Sequence, residues 1–189
     1  YADAAGISQL PNYRLWVNDV NEAGGLCVGA RRMPLQVVEY DDRSQPDEAM
    51  RAVDQLIRQD KVDFLLPPWG TGMNMAVAPA FNRGGYPLIS PSFSSDRLPE
   101  LVKRWNNVFS LLDTATSYAE GIVGVLIEQR AAGRIGDTVA MVHVTDPFGP
   151  DALQLRCDPE IGAAEFQVAV RRAADRAFFL RVLAQAAVL

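Results

Sequence analysis

One stretch, residues 62–94, constrains the fold of this chain more than any other. It contains two short apolar runs, 63–66 and 87–90, and each is typical of a buried strand. Residues 73–83 lie between them and have the length and composition of a single helix. A strand, a loop, a helix and a second strand in this order form the repeating unit of a parallel sheet with right-handed crossovers. We therefore predict an α/β fold.

Each predicted strand is followed by a loop of small and hydroxylated residues. The first loop, residues 69–72, is Trp-Gly-Thr-Gly, and the second loop, residues 92–94, is Ser-Phe-Ser. Both loops leave the sheet at the carboxyl ends of their strands, which is the edge where open α/β sheets bind ligands. We therefore predict that the two loops together form one wall of a ligand-binding site.

Helices and strands alternate along the rest of the sequence as well. The predicted helices cover residues 7–23, 46–60, 98–104, 115–130, 151–158 and 174–185. The predicted strands cover residues 35–40, 107–112, 138–144, 165–170 and 186–189. Strict alternation is typical of doubly wound parallel sheets. The pattern opens on a helix and closes on a strand that is just beginning, so we expect a truncated fold.

The charge and hydropathy of the chain argue against two classes of function. The formal net charge is −5 and basic residues are scattered, so a nucleic-acid partner is not expected. No stretch approaches the roughly 18 to 20 apolar residues of a membrane span. The first residues lack the basic and apolar regions of a signal peptide, which fits either a cytoplasmic protein or a trimmed, exported one.

Few residues are suited to metal binding or redox chemistry. Cys27 and Cys157 lie far apart, so we expect two free, partly buried thiols, with a disulfide in an oxidising compartment as the alternative. His143, the single histidine, lies within an apolar strand pattern, and we expect a strand residue there rather than a ligand or a base. No metal site and no cofactor are predicted.

Two enzymatic interpretations are weaker than a binding function. Gly70 and Gly72 after a predicted strand imitate the dinucleotide fingerprint G-x-G-x-x-G, but Met75 stands at the third glycine position, where a side chain would clash. A Ser–His–Asp arrangement would need His143, which lies within a strand pattern far along the chain from the serine-rich second loop. We therefore expect a protein that binds its ligand without catalysis.

Several segments, in one order and spacing, resemble those of a known family. They are residues 1–6, 16–25, 38–42, 44–46, 60–66, 87–91 and 146–149. The first is similar to the loop after the family's first strand, and the second ends in Asn-Glu-Ala-Gly-Gly, as the family's first helix typically does. Over about residues 1–150 the chain resembles the type 1 periplasmic substrate-binding proteins of ABC transporters, of the Leu/Ile/Val-binding kind.

The resemblance implies a two-lobed fold of doubly wound parallel sheets whose lobes close over a ligand. It places residues 1–112 in an N-terminal lobe that lacks its first strand, and residues 113–189 at the start of a C-terminal lobe. It also implies a periplasmic or extracellular protein that delivers a small molecule, with a branched-chain amino acid as the leading candidate, to an ABC transporter permease. The ligand-sensing domain of a receptor or regulator with the same fold is the alternative, and a nucleotide-dependent enzyme fits less well.

In the first loop, residue chemistry and the resemblance together indicate the ligand contacts. Thr71 supplies a hydroxyl at the start of a helix, whose unpaired N–H groups favour an anion such as the carboxylate of an amino acid. Trp69 and Gly70 are expected in the same wall, with packing against Tyr86 as the alternative for the tryptophan side chain. In the second loop, Ser92, Phe93 and Ser94 are expected to contact the ligand through hydroxyl and backbone groups, with capping of the following helix as the alternative for residues 92–95.

Two aromatic residues further along the chain complete the predicted site. Phe148 matches the position of an aromatic residue that covers the ligand in the family, with an ordinary loop anchor as the alternative. Tyr118 is a weaker candidate, because its spacing with Ile122 favours packing in a core. The acidic residue that binds the ligand ammonium in the family falls beyond this sequence, and Asp113 and Asp146 are expected to form turns instead.

Overall fold

The computed structural model of the chain describes residues 2–136, 138–143, 147 and 167–172. Within them, the α-helices are α1 (Ala2–Ala4), α2 (Leu10–Glu22), α3 (Pro46–Gln55), α4 (Thr71–Gly84), α5 (Leu98–Arg104) and α6 (Ala115–Ala131). Two π-helical turns, Ala5–Gln9 and Leu56–Asp60, join α1 to α2 and prolong α3. The strands are β1 (Leu26–Val28), β2 (Arg31–Met33), β3 (Leu88–Ser90), β4 (Val108–Ser110), β5 (Thr138–His143) and β6 (Gln167–Arg172).

The described strands form three two-stranded sheets. Strands β1 and β2 are an antiparallel hairpin. Strands β3 and β4 are parallel, with Leu88 opposite Val108 and Ser90 opposite Ser110. Strands β5 and β6 are also parallel. Two of the three pairs therefore have the parallel pairing that an alternating α/β sequence predicts.

The chain divides into two compact units. The first comprises residues 1–93 and 99–112, and the second comprises residues 94–98 and 113–189. The assignment of residues 1–112 and 113–189 to the two lobes of a binding protein stays a prediction. The helices predicted at 151–158 and 174–185 and the strand predicted at 186–189 lie outside the described residues.

The core of the first unit forms where α3 packs on α4 and α4 packs on β3, the partner of β4. Its buried apolar side chains include Ala49, Val53, Met73, Val77, Phe81, Leu88 and Val108. Full burial of a large apolar side chain contributes about 1.5–3 kcal/mol. This packing fixes the position of α4, and therefore the position of the loop that leads into it.

In the second unit, residues 94–98 are tied to the start of α6. The carboxylate of Asp96 accepts hydrogen bonds from the N–H of Thr116 at 3.0 Å and from its hydroxyl at 2.6 Å. Thr114 caps the helix, because its hydroxyl oxygen accepts from the N–H of Ser117 at 3.2 Å. These side-chain contacts explain why a short upstream segment belongs to the same unit as α6.

Residues 2–6 are helical where the resemblance implied a loop at residues 1–6, so the prediction is wrong for the described part of that segment. Pro11 has no N–H and cannot donate to the turn before it. The chain adopts a wider π-helical turn there, in which the N–H of Leu10 donates to the carbonyl of Ala5. The helical path therefore continues upstream of the proline. At its other end, α2 stops before Gly24 and Gly25, which both have positive φ, as the glycine pair predicts.

None of the described strands includes residues 35–40, so the strand predicted there is wrong. The side chain of Asn21 binds both backbone groups of Leu35. Its Oδ1 accepts from the Leu35 N–H at 2.7 Å, and its Nδ2 donates to the Leu35 carbonyl at 3.0 Å. The asparagine thus replaces the pairing that a neighbouring strand would provide. The β1–β2 hairpin, which the sequence analysis missed, turns at Gly29 with a φ of 62°.

The buried strand predicted at residues 63–66 is also wrong. Phe64 is 64% exposed and Leu66 is 47% exposed, and neither belongs to a strand. Pro67 and Pro68 follow directly and have no N–H groups, which stops a strand ladder at this point. The strand predicted at 87–90 is confirmed as β3.

The predicted helices at 46–60 and 98–104 are confirmed, the first as α3 with its π-helical extension and the second as α5. The helix predicted at 115–130 is confirmed as α6, but its apolar stripe is not buried. Tyr118 is 48% exposed and Ile122 is 64% exposed, so the expectation that they pack in a core is wrong. Periodicity identifies the apolar face of a helix, but it does not tell whether another element covers that face.

Candidate ligand-binding site

Helix α4 begins in the middle of the first loop. Gly70 stands immediately before the helix with a φ of 93° and a ψ of 153°, a conformation that residues with a Cβ rarely adopt. Thr71 is the first helical residue and is buried. The N–H groups in the first turn of an α-helix have no partners within the helix and carry the positive end of its dipole. The electrostatics of this end of α4 therefore suit an anion better than a cation.

Ser92 links the second loop to the first. Its Oγ accepts a hydrogen bond from the N–H of Gly70 at 3.0 Å and donates to the carbonyl of Pro68 at 3.5 Å. The N–H of Ser92 donates to the Oγ of Ser90, the last residue of β3, at 3.3 Å. The structure therefore brings the predicted site residues Gly70 and Ser92 together, although they lie 22 positions apart in the sequence.

Two amide side chains that the sequence analysis missed bind Gly70 of the first loop and the two prolines that precede the loop. The Nδ2 of Asn74 donates to the carbonyls of Pro68 at 2.9 Å and Gly70 at 2.8 Å. The Nε2 of Gln9 donates to the carbonyl of Pro67 at 2.8 Å. A polar residue on the buried face of α4 was the available signal for Asn74. Gln9 offered no such signal, because its partner lies 58 positions away.

Tyr13 takes part in the same group of contacts. Its hydroxyl accepts from the Nε2 of Gln9 at 2.9 Å and donates to the carbonyl of Pro67 at 3.4 Å. Burial raises the pKa of Tyr13 to about 12, and the hydrogen bond from Gln9 offsets only part of this rise. The phenol is therefore neutral near pH 7, and its hydroxyl can donate to the carbonyl of Pro67.

The last residue of the second loop belongs to the second unit. Ser94 is buried, and its hydroxyl donates to the carbonyl of Asp113 at 2.6 Å. The Oγ of Ser95 accepts from the N–H of Arg97 at 3.2 Å in the turn before α5, so the capping alternative for this segment stays a prediction. The carboxylate of Asp113 accepts from the N–H of Thr114 at 2.7 Å, as expected for a turn-forming aspartate.

The aromatic residues that were predicted to contact the ligand differ in how far their side chains are buried. Trp69 is half-buried beside Gly70 in the first unit. The side chain of Phe93 is fully buried in the core, where a large apolar group gains most, and a ligand contact through the backbone of this loop stays a prediction. The carbonyl of Phe93 accepts from the hydroxyl of Ser110. Tyr118 is half exposed on α6 of the second unit, and Phe148 lies outside the described residues.

The reactive residues predicted from the sequence are placed as follows in the part of the chain that the structure describes. There, no group of three or more His, Cys, Asp or Glu is placed to hold a metal ion. Cys27 is a free, exposed thiol rather than a partly buried one, and Cys157 lies outside the described residues. His143 is the last residue of β5, as the strand pattern predicts. Among the described helices, none is both long and apolar enough to cross a bilayer.

Residues 1–173 match the family of periplasmic binding proteins. The chain belongs to this family. The match extends beyond residue 150, where the resemblance of individual motifs weakens. The chain therefore has the type 1 periplasmic binding protein fold that its motifs predict, and the described residues include part of that fold.

Solved structures of periplasmic binding proteins are similar to it. LivJ of Streptococcus pneumoniae, a branched-chain amino acid transporter substrate-binding protein in complex with isoleucine, is 21% identical with a TM-score of 0.67, covering 90% of this chain and 47% of that chain. The leucine-binding protein LivK of Thermotoga maritima is 16% identical with a TM-score of 0.64, at 90% and 47% coverage. A solute-binding protein of R. palustris in complex with benzoate is 21% identical with a TM-score of 0.65, at 89% and 45% coverage. The chain thus spans about half the length of the solved binding proteins that it matches.

Proposed function

We propose that this periplasmic binding protein is the ligand-capturing part of a solute-binding protein that serves an ABC transporter. Membership of the family supports the proposal at the level of solute binding. The observation that carries it is the hydrogen bond between the Gly70 N–H and the Ser92 Oγ. This bond fixes a serine-containing loop against the N-terminus of α4, where oriented N–H groups favour an anionic ligand.

The proposed ligand is a small carboxylate, and a branched-chain amino acid is the first candidate. The first turn of α4 supplies donors for the carboxylate, and Thr71 adds a hydroxyl at the same place. The half-buried ring of Trp69 supplies apolar surface for an aliphatic side chain. Two binding proteins similar to this chain are in complex with leucine and isoleucine, which supports this choice.

Aromatic carboxylates are the second candidate. Two similar solute-binding proteins are in complex with benzoate and with 3,4-dihydroxybenzoic acid. Such a ligand presents the same carboxylate to α4, and its ring would stack on the indole of Trp69. The anion is therefore the chemistry common to both candidates, and the rest of the ligand distinguishes them.

Capture is proposed to occur by closure of two lobes, residues 1–112 and 113–189, over the ligand, without catalysis. The loaded protein would then be recognised by an ABC transporter permease, in the periplasm or outside the cell. The alternative role is that of a sensor, which would use the same site. A gene that continues into a membrane span or an effector domain would favour the sensor, whereas a free-standing exported chain would favour uptake.

The proposal is tested by a thermal-shift screen with L-leucine, L-isoleucine, benzoate and 3,4-dihydroxybenzoate. A ligand at 100 times its dissociation constant adds about 2.7 kcal/mol to the free energy of unfolding, which gives a readily measured shift. L-Leucinamide, which has no carboxylate, is the matched control and is expected to give no shift. Equal stabilisation by leucine and leucinamide would refute the anion-binding role of α4, and no shift with any carboxylate would contradict the proposed ligand class.

A further inference from the structure

The segment at residues 67–70, which enters α4, is held almost entirely by side chains. The carbonyl of Pro67 accepts from Gln9, and the carbonyls of Pro68 and Gly70 both accept from Asn74. Pro67 and Pro68 have no N–H groups with which to join a strand or a helix. The conformation of this segment therefore depends on donors supplied by other parts of the chain.

Both amide side chains can be oriented in only one way. Each faces carbonyl oxygens, which accept and cannot donate, so the NH₂ group of each amide must point toward the 67–70 segment. This leaves the Oε1 of Gln9 and the Oδ1 of Asn74 buried, with no hydrogen-bond partner among the described residues. Gln9 is 8% exposed and Asn74 is 0% exposed, so bulk water does not compensate either side chain.

Half-satisfied buried amides are unfavourable for folding. A buried acceptor without a partner keeps its desolvation cost, and an apolar side chain of similar volume would avoid that cost. Positions that break a general rule of stability in this way are expected at functional sites. Three such amides occur among the described residues, and the third, Asn107, donates to the carbonyl of Tyr86. The other two converge on one short segment, and that segment leads directly to Thr71 at the start of α4.

We propose that Gln9 and Asn74 are positioning residues that hold the 67–70 segment in the shape required for ligand binding. This inference rests on the proposed function, because the segment carries Trp69 and Gly70 of the candidate site. Neither amide needs to touch the ligand. Each removes conformational freedom from the segment before the ligand arrives, and a site that is already ordered loses less entropy on binding.

The first test needs no ligand. Asn74→Leu and Gln9→Met keep similar side-chain volumes but remove the NH₂ donors, while Asn82→Leu alters an exposed asparagine on the same helix and serves as the control. Hydrogen exchange of the full chain is followed by mass spectrometry on peptides that cover residues 67–72. We expect exchange about tenfold faster in each of the two test variants, equivalent to the loss of one hydrogen bond, and unchanged exchange in the control. Unchanged exchange in both folded test variants would overturn the proposal.

The second test separates positioning from general stabilisation. Dissociation constants for L-leucine and for benzoate are measured by calorimetry at a temperature where every variant is folded. We expect binding about tenfold weaker in Asn74→Leu and in Gln9→Met, and unchanged in Asn82→Leu. A lower melting temperature with an unchanged dissociation constant would indicate a merely structural role and overturn the proposal. If the unmodified chain binds neither probe, the proposed function fails, and the exchange result alone decides whether the two amides set the shape of the segment.

Discussion

Replacing Ser92 by alanine removes the link between the two loops, and the structure gives the expected cost. The Ser92 Oγ accepts from the Gly70 N–H at 3.0 Å, and both residues are buried. Loss of the acceptor leaves a buried N–H without a partner, which costs about 1–3 kcal/mol. The contact with the Pro68 carbonyl at 3.5 Å is at the geometric limit for a hydrogen bond and adds little, and that carbonyl keeps its bond from Asn74.

Urea unfolding followed by tryptophan fluorescence is a suitable assay for this variant. All three tryptophans, Trp16, Trp69 and Trp105, lie in the first compact unit, so the signal reports the unit that contains the link. With a urea dependence of about 1–3 kcal/mol per M, the expected loss lowers the midpoint by roughly 1 M. Ser8→Ala removes an exposed hydroxyl and is expected to change stability by about 0.5 kcal/mol or less. If Ser92→Ala matched this control, the Gly70–Ser92 bond would not stabilise the loops and the reasoning would be refuted.

Three further variants test neighbouring parts of the structure. Thr71→Ala is expected to weaken carboxylate binding by about 1–3 kcal/mol, measured by calorimetry with the ligand identified in the thermal-shift screen; unchanged affinity would contradict the placement of Thr71 in the site. Phe93→Ala empties a fully buried position and is expected to lower the free energy of unfolding by about 3–5 kcal/mol, whereas a negligible loss would place Phe93 outside the core. The pKa of Tyr13 is raised from 10.0 to about 12, so the folded state favours the neutral phenol. The stability that results is complete below pH 10 and is lost as the pH rises from 10 through 12, and Tyr13→Phe is expected to lack this part of the pH dependence when unfolding is measured across that window.

Most of the described helices were predictable because their signals are local. Pro46 at the start of α3, Gly24 after α2 and the spacing of apolar residues in α6 all lie within the elements that they specify. The absence of strands at 35–40 and 63–66 was not predictable from the residues of those two segments. The first has its backbone bound by Asn21, and the second is followed by two prolines that end any ladder. Both outcomes depend on residues outside the apolar run itself.

The proximity of the two loops of the candidate site was predictable, but the side chains that hold them were not. The rule that ligands bind at the carboxyl ends of strands placed the first and second loops together, and the Gly70–Ser92 bond joins them. The first loop nevertheless follows an irregular segment rather than the predicted strand. Gln9 and Asn74 act through bonds from side chain to backbone, and such bonds have no period in the sequence. The burial of the Phe93 side chain was also not predictable, because a loop position does not reveal whether a side chain turns inward.

The Asn21 side chain has a consequence for how the protein behaves in solution. An extended segment whose N–H and carbonyl groups point outward is a template for pairing with another molecule, and the risk of aggregation grows when its side chains are apolar. Val37 and Val38, close to Leu35, are both substantially exposed. Because Asn21 binds both the N–H and the carbonyl of Leu35, neither group is available for pairing with a strand of another molecule. The Asn21 side chain, which satisfies the backbone groups of Leu35 in the absence of a neighbouring strand, therefore also disfavours the pairing of this segment with a strand of another molecule.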